Sequence, residues 1–223
     1  MTKHLILSGA IPQDLGVNPA SLDGKNVPPG WHRLGNSTTA IVIGGEKYYI
    51  KLYAQSSAVL SLVRVGLLPA FPLTIRAMRA AANERRLARQ GVSVPETLTV
   101  GTVGSFSYQI TRTVQGERLS NRINSLDESE RLQLMYDVAG VLAKIHGAGV
   151  AHGDFHLGNL IKPALSQSDL VLIDNEKNKG QWLRCRGAFK KDIRTLLRER
   201  KGYRLCDKEV AAFMQGYEEL IVR

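Results

Sequence analysis

The sequence predicts an α+β protein of two lobes, an antiparallel β-sheet followed by a mainly helical half. Short runs rich in β-branched and aromatic residues crowd the first part, with AIVI at 40–43, KYYIKLY at 47–53 and SYQIT at 107–111, separated by Gly-containing turns. Apolar residues at helical spacing dominate the second part, above all Leu134, Met135, Val138, Val141, Leu142 and Ile145. The composition changes near Gly116. These observations divide the chain into an irregular lead-in over 1–27, a sheet lobe over 28–116 and a helical lobe over 117–223.

Taken in order, residues 1–27 mix Gly, Asn, Asp and Pro without a period and read as irregular. GWHRL at 30–34, the turn GNSTT at 35–39, AIVI, a GGE turn and KYYIKLY form an antiparallel meander. Residues 54–75 are apolar, broken by Pro69 and Pro72, and read as an inserted helix and turn or an apolar surface patch. RAMRAAANERRLARQ follows as a helix with Ala77, Met78, Ala81, Leu87 and Ala88 on one face, stopped by Gly91. Two more strands lie around Gly101 and Gly104. Residues 125–147 make the strongest helix, with Ser125 and Glu128 in a capping-box pattern. KKDIRTLLRERKG reads as a short basic helix with Ile193, Leu196 and Leu197 inward. CDKEVAAFMQGYEEL closes the chain as a helix with Val210, Phe213, Met214, Tyr217 and Ile221 on one face.

At 223 residues the chain is long enough to bury a sizeable core. Its 43% hydrophobic and 22% charged residues are ordinary for a globular protein. No stretch approaches the ~18 apolar residues of a spanning helix, and the first residues lack a signal-peptide layout. Cys185 and Cys206 show no metal-ligand spacing, so free thiols in a cytoplasmic protein are expected. The net charge of +10 is concentrated: residues 177–204 hold eleven Lys and Arg against Asp192 and Glu199, or +9. That block calls for an anionic partner, such as a phosphorylated lipid or saccharide, an anionic membrane surface or nucleic acid.

The chemistry concentrates in HGDFHLGN, residues 152–159, and in LVLID, residues 170–174. Asp154 followed five positions later by Asn159 has the spacing of the phosphoryl-transfer loop H-R-D-x-x-x-x-N, with Gly153 in place of the arginine. In such a loop the aspartate accepts the proton of the attacking hydroxyl and the asparagine holds a metal ion. Asp174, ending an apolar strand, stands where a second metal-binding carboxylate is needed. His152, Asp154 and His156 would share one face of a strand and bind a metal, but Gly153 and Gly158 argue against a sustained strand there. Lys51, in the middle of an apolar strand, is costly unless its ammonium meets an anion. A nucleotide phosphate is that anion, with Glu84 as the lysine's partner; pairing of Glu84 with the arginines around it is the plainer role. Gly35, Asn36, Ser37 and Thr38 offer backbone and hydroxyl donors to phosphates. A nucleotide base would meet the backbone near Thr111–Val114. Asp192 caps its helix or, buried, bonds the backbone of the 152–159 loop.

From about residue 30 onward, YYIKLY, ANERRLARQGVSVPETL, GAGVAHGDFHLGNLI, LVLIDNEK and FKKDIRTLLRERKG together resemble the lipopolysaccharide kinases, the Kdo and heptose (WaaP-like) family within the protein-kinase-like fold. HGDxHxxN alone would also fit aminoglycoside-type phosphotransferases. The resemblance implies ATP, Mg and phosphate transfer to a sugar hydroxyl of the lipopolysaccharide inner core, on the cytoplasmic face of the inner membrane of a Gram-negative bacterium. It implies Lys51 on phosphates with Glu84 orienting it, Asp154 as base, Asn159 and Asp174 as metal ligands and Asp192 as a structural support. The chain departs from the family at Gly153, at Asn175-Glu176 after the metal aspartate and in its thin Gly-rich turn. The acceptor implied is a core saccharide or another anionic molecule, with nucleic acid ranked below. Alternatives are a small atypical protein kinase or ATPase of the Bud32 or RIO kind and a small-molecule phosphotransferase. The +9 segment argues against cationic aminoglycoside substrates.

Overall fold

A computed structural model describes residues 4–9, 31–33, 38–43, 46–54, 76–103, 106–164, 170–175, 179–180, 185–198 and 203–221. The chain forms two compact units, Met1–Glu84 with Pro95–Thr113 and Arg85–Val94 with Val114–Arg223. Together they make the expected bilobal α+β architecture, with an antiparallel sheet in one unit and mostly helices in the other.

The first unit holds six strands: β1 (His4–Gly9), β2 (Trp31–Arg33), β3 (Thr38–Ile43), β4 (Glu46–Ala54), β5 (Thr97–Val103) and β6 (Phe106–Arg112). They form one antiparallel sheet in the order β1-β5-β6-β4-β3-β2. The meander over 31–54 and the two strands around Gly101 are as the turn spacing predicts. The lead-in is not wholly irregular, because His4–Gly9 pairs with β5 as an edge strand. An edge strand needs one partner and little periodicity of its own, which is why its sequence carries no clear signal. The remainder of the lead-in, the Gly35–Ser37 part of the turn and the apolar 55–75 stretch lie outside the described residues.

Helix α1 (Arg76–Arg89) packs on this sheet through alanines. Ala77, Ala80 and Ala81 are buried with Tyr53 and Val100, and the Ala77 amide donates to Ser107 Oγ at 3.3 Å. Small side chains at i, i+3 and i+4 let the helix approach the strands closely. Glu84, three residues beyond Ala81, falls on the same stripe and is carried under the helix rather than onto its surface. Ala88, expected on the apolar face, is exposed.

The second unit contains β7 (Gly116–Arg118), a short helix α2 (Leu119–Arg122), a 3₁₀ turn (Ile123–Ser125) and the long helix α3 (Glu128–Gly147). Beyond them come β8 (Val150–Ala151), a 3₁₀ turn (Leu157–Asn159), β9 (Leu160–Pro163), β10 (Val171–Leu172), β11 (Lys179–Gly180), α4 (Cys185–Leu197) and α5 (Asp207–Ile221). Its small sheets run β10-β9-β7 and β11-β8. The core is built on Leu134, Met135, Val138, Leu142 and Ile145 of α3 with Phe213 of α5, all at most 7% exposed. Gly216 permits the contact between these helices, since a Cβ there would come within 2.8 Å of the Tyr136 ring.

The cap of α3 lies two residues later than the Ser125–Glu128 pattern predicts. Asp127 Oδ1 accepts from the Glu130 amide at 2.8 Å and the Asp127 amide donates to Glu130 Oε2 at 3.0 Å, a reciprocal capping box. Ser125 instead closes the preceding 3₁₀ turn, donating to the Arg122 carbonyl at 2.7 Å. Helix α4 also begins earlier than its basic run indicates, which places Asp192 in mid-helix and removes it as a cap. No helix among the described residues is long and apolar enough to cross a membrane.

Candidate active site

The first unit gathers its charged pair around Gln109. Lys51 of β4 is the cross-strand partner of Gln109 on β6 and of Thr38 on β3, so these three residues form one row across the sheet. Of these, the directly opposed Lys51 and Gln109 project to the same face, which the bond from Gln109 to Glu84 identifies as the face that α1 covers. Gln109 Nε2 donates to Glu84 Oε2 at 2.6 Å, Thr97 Oγ1 donates to the same oxygen, and Tyr53 OH donates to Gln109 Oε1 at 3.0 Å. Glu84 is 6% exposed and Gln109 3%. A carboxylate so buried needs such donors. Lys51 Nζ lies 5.4 Å from the centroid of the Tyr53 ring. The strand register thus brings Lys51 to the residue that anchors Glu84, and it places Glu84 against the sheet rather than among surface arginines. Gln109 and Thr97 were not read from the sequence as site residues. The available signal was a glutamine at an inward position of an apolar strand.

At the end of this unit Thr113 donates its amide to the Lys47 carbonyl at 3.2 Å. Its Oγ1 is buried and is the one buried side-chain polar atom without a hydrogen-bond partner among the described residues. It falls where the sequence places the nucleotide base, so an unsatisfied hydroxyl fits a bound polar ligand there. Thr113→Val is therefore expected to leave the ligand-free protein as stable or up to about 1 kcal/mol more so, because an unpaired buried hydroxyl is removed. The same change should weaken ATP binding by roughly two- to tenfold, the worth of one hydrogen bond. Thermal denaturation with and without an ATP analogue measures both effects.

In the second unit the 152–159 loop is held almost entirely through main-chain atoms. Asp192, fully buried in α4, accepts from the His152 amide (Oδ2) and the Gly153 amide (Oδ1), both at 2.7 Å. Gly153 adopts φ +85°, a conformation open to glycine at no steric cost, and this turns both amides toward one carboxylate. The departure from arginine at this position therefore has a conformational role. Behind Asp192 stands His146 of α3, with Nε2 3.3 Å from Asp192 Oδ2, Nδ1 2.6 Å from Tyr217 OH, and its ring stacked on Phe189 at 4.0 Å. Tyr217 reads in the sequence as a helix-face residue and His146 carries no signal there; the three-dimensional packing shows both supporting the loop.

His152 is a strut, not a metal ligand. Its Nδ1 accepts from the Asp154 amide at 3.3 Å and its Nε2 faces the Ile173 carbonyl at 3.3 Å, which fixes the neutral Nε2–H tautomer. Burial lowers its pKa below the usual imidazole value, against the opposing pull of Asp192. The unfolded chain therefore binds a proton that the folded chain refuses once pH falls below about 6.5. Stability should decline from that pH downward, and the decline should be shallower in His152→Asn, as read from denaturant midpoints between pH 7.5 and 5.5.

Asn159 and Asp174 are brought together by backbone pairing. The Ile173 amide donates to the Asn159 carbonyl at 2.9 Å, directly before Asp174. Asn159 Nδ2 donates to the Asp154 carbonyl at 3.0 Å, which directs the opposite side of its amide, Oδ1, away from the loop backbone. Asp174 sits at φ +64°, the one non-glycine residue with positive φ among the described residues. Such a conformation is retained where a fixed side-chain direction compensates its cost. Asn175 locks it by donating Nδ2 to the Leu172 carbonyl at 3.2 Å, so this departure from the family pattern is a buried turn residue; Glu176 lies outside the described residues. One amide oxygen and one carboxylate form a donor set suited to Mg, which takes few protein oxygens and completes its shell with phosphate and water. Among the described residues there is no cluster of three or more His, Cys, Asp or Glu able to hold a metal by protein ligands alone. Gly35, Asn36 and Ser37 lie outside the described residues, and Thr38 opens β3 beside Lys51.

The profile of the lipopolysaccharide kinase (Kdo/WaaP) family matches residues 44–217, which include both sets of residues. The chain belongs to this family. Among curated proteins it is similar to the KEOPS complex subunit Bud32 of Pyrococcus abyssi (strain GE5 / Orsay), at 34% identity over 99 residues. That stretch is 44% of this chain and 43% of Bud32, so less than half of the relative is matched. The fold is similar to the crystal structure of an aminoglycoside-3'-phosphotransferase of type VIII, with a TM-score of 0.59 and 16% identity, covering 86% of this chain and 87% of that one. WbdD aligns with a TM-score of 0.47 and 16% identity over 84% of this chain and 45% of its own. Membership of the Kdo/WaaP family and the protein-kinase-like fold are consistent in general with use of ATP and Mg.

Proposed function

We propose that this Kdo/WaaP-family protein transfers the γ-phosphoryl group of ATP to a hydroxyl or to water. The observation that carries the reading is the main-chain clamp on the 152–159 loop, with Asp192 gripping two amides while the Ile173–Asn159 bond sets Asp174 beside Asn159. Asp154 is the base that aligns the attacking oxygen. Asn159 and Asp174 would hold the metal, which would supply charge neutralisation on the phosphates. Lys51, oriented by Glu84, neutralises further phosphate charge. Catalysis of this kind is positioning and electrostatics, so rigid anchoring of the loop matters more than any reactive side chain.

Two acceptor classes have support. A compact kinase or ATPase of the Bud32 kind, acting on protein or water, takes precedence because the 34% identity to Bud32 over 99 residues is a likeness of sequence, whereas the aminoglycoside phosphotransferase is alike at 16% and in fold alone. The family's name supports the second, a sugar hydroxyl of the lipopolysaccharide inner core. The exposed Lys190, Lys191 and Arg194 of α4 support an anionic partner in either case. The test is γ-labelled ATP with Mg and three acceptors offered side by side, water, the protein itself and purified inner-core lipopolysaccharide, with Asp154→Ala as control. Released phosphate or labelled protein supports the first class, and labelled saccharide the second. Absence of ATP turnover with all three overturns the phosphotransferase reading.

A further inference from the structure

A cavity of about 240 Å³ opens in the second unit against the His156–Asn159 end of the 152–159 loop. Asn159 and Gly158 form its wall toward the loop, while Arg118 from β7, Ser120 from α2, His156 and Arg198 at the end of α4 contribute the polar lining. Among the described residues no acidic one lines it. Arg118 and Arg198 are exposed, and neither guanidinium is paired with a carboxylate among the described residues. Glu117, next to Arg118, points to the other face of β7, because successive strand residues alternate. His156 accepts from the Gly158 amide at its Nδ1 (3.0 Å), so its Nε2 carries the proton. A Cβ at Gly158 would stand 3.0 Å from the His156 ring and 3.7 Å from Ser120 Oγ, so both side chains converge over this glycine.

Two planar forked cations thus flank one concavity from separate elements, beside the His156 ring and the Ser120 hydroxyl, which donates to Asn121 Oδ1 at 3.3 Å. Arginine forks suit oxyanions bidentately, and two forks arriving from separate elements suit a tetrahedral group with several oxygens better than a planar one with two. The volume falls below the 300–1,000 Å³ of pockets that enclose a whole drug-sized ligand. It fits one moiety of a larger molecule.

We propose that this cavity is a phosphate subsite. It holds a phosphate monoester already carried by the acceptor, and so places a second hydroxyl of that acceptor toward the Asp154 loop. The preferred substrate is then a phosphorylated one, and an enzyme that attaches the first phosphate must act before this one. The proposal rests on the phosphotransferase reading, and its test separates the two. Inorganic phosphate is titrated into the full-length protein by calorimetry, with and without a saturating non-hydrolysable ATP analogue and Mg, and acetate is titrated as the planar counterpart. With the analogue present, phosphate should bind at least tenfold more tightly than acetate. The exposed-site double variant Arg118→Gln/Arg198→Gln should weaken phosphate at least tenfold while changing the analogue's affinity less than twofold. Undetectable phosphate binding by the wild type, equal binding by the double variant, or acetate binding as tight as phosphate would overturn the subsite. Should the analogue fail to bind, the phosphotransferase reading falls, and the phosphate titration without it still decides whether the cavity takes the anion.

Discussion

Asp154→Asn is expected to lower phosphoryl transfer by roughly 10²- to 10⁴-fold, the range of a positioned general base, while the melting temperature stays within a few degrees of wild type. The asymmetry follows from how the loop is held. Its anchors are the His152 and Gly153 amides on Asp192, the Asp154 amide on His152 Nδ1 and the Asp154 carbonyl on Asn159 Nδ2. Each runs through main-chain atoms at residues 152–154, so an isosteric asparagine leaves them in place. What disappears is a carboxylate able to accept a hydroxyl proton and to repel an unaligned phosphate. The nucleotide affinity should change little, because the groups assigned to phosphate and metal are Lys51, Asn159 and Asp174. Initial rates at saturating ATP, beside a melting curve, make the comparison. A variant that retains its rate would remove Asp154 from the chemistry, and one that melts far lower would recast it as a structural residue.

What the sequence made legible was whatever local spacing encodes. The five-residue interval from Asp154 to Asn159, the apolar run LVLID and the lysine inside YYIKLY are signals read along a single segment; Lys51 lies in β4 and Asp154 in a loop as expected, while Asp174 lies two residues beyond the end of β10 rather than closing the strand. Less legible were partnerships formed at long range. Gln109 stands 25 residues from the Glu84 it anchors, and His146 stands 46 from the Asp192 it supports. Neither separation leaves a periodic trace. The edge strand His4–Gly9 was missed for a related reason, since its pairing partner is almost a hundred residues away on β5. The cap of α3 shows a different limit: Ser125–Glu128 and Asp127–Glu130 satisfy the same pattern, and only the 3₁₀ turn over Ile123–Ser125 decides which closes the helix. Glu209 was absorbed into an apolar helix by its neighbours, yet it is 3% exposed and binds Arg131, Tyr203 and the Cys206 amide, tying the last helix to α3.

The second large effect is expected at Asp192, where structure and chemistry cannot be separated by a simple deletion. Asp192→Ala strands the buried His152 amide and the half-buried Gly153 amide and leaves the buried His146 facing a void. Breaking a buried charged network by removing one partner costs about 3–5 kcal/mol, a large share of the 5–15 kcal/mol that typically holds a domain together. For a chain of this size the melting temperature should fall by roughly 10 °C or more. Loss of activity in such a variant would say little, so Asp192→Asn is the informative companion. Asparagine keeps the volume and one acceptor oxygen but turns an N–H toward one of the two loop amides. It should retain most of the stability and bind ATP normally, yet transfer phosphate at least tenfold more slowly, because the repelled amide rotates the backbone that aims Asp154. A fall in kcat with unchanged KM for ATP would identify Asp192 as a positioning residue acting through the loop. Full activity in Asp192→Asn would mean that the carboxylate serves folding alone, and that the aim of Asp154 is set by Gly153 and His152 without it.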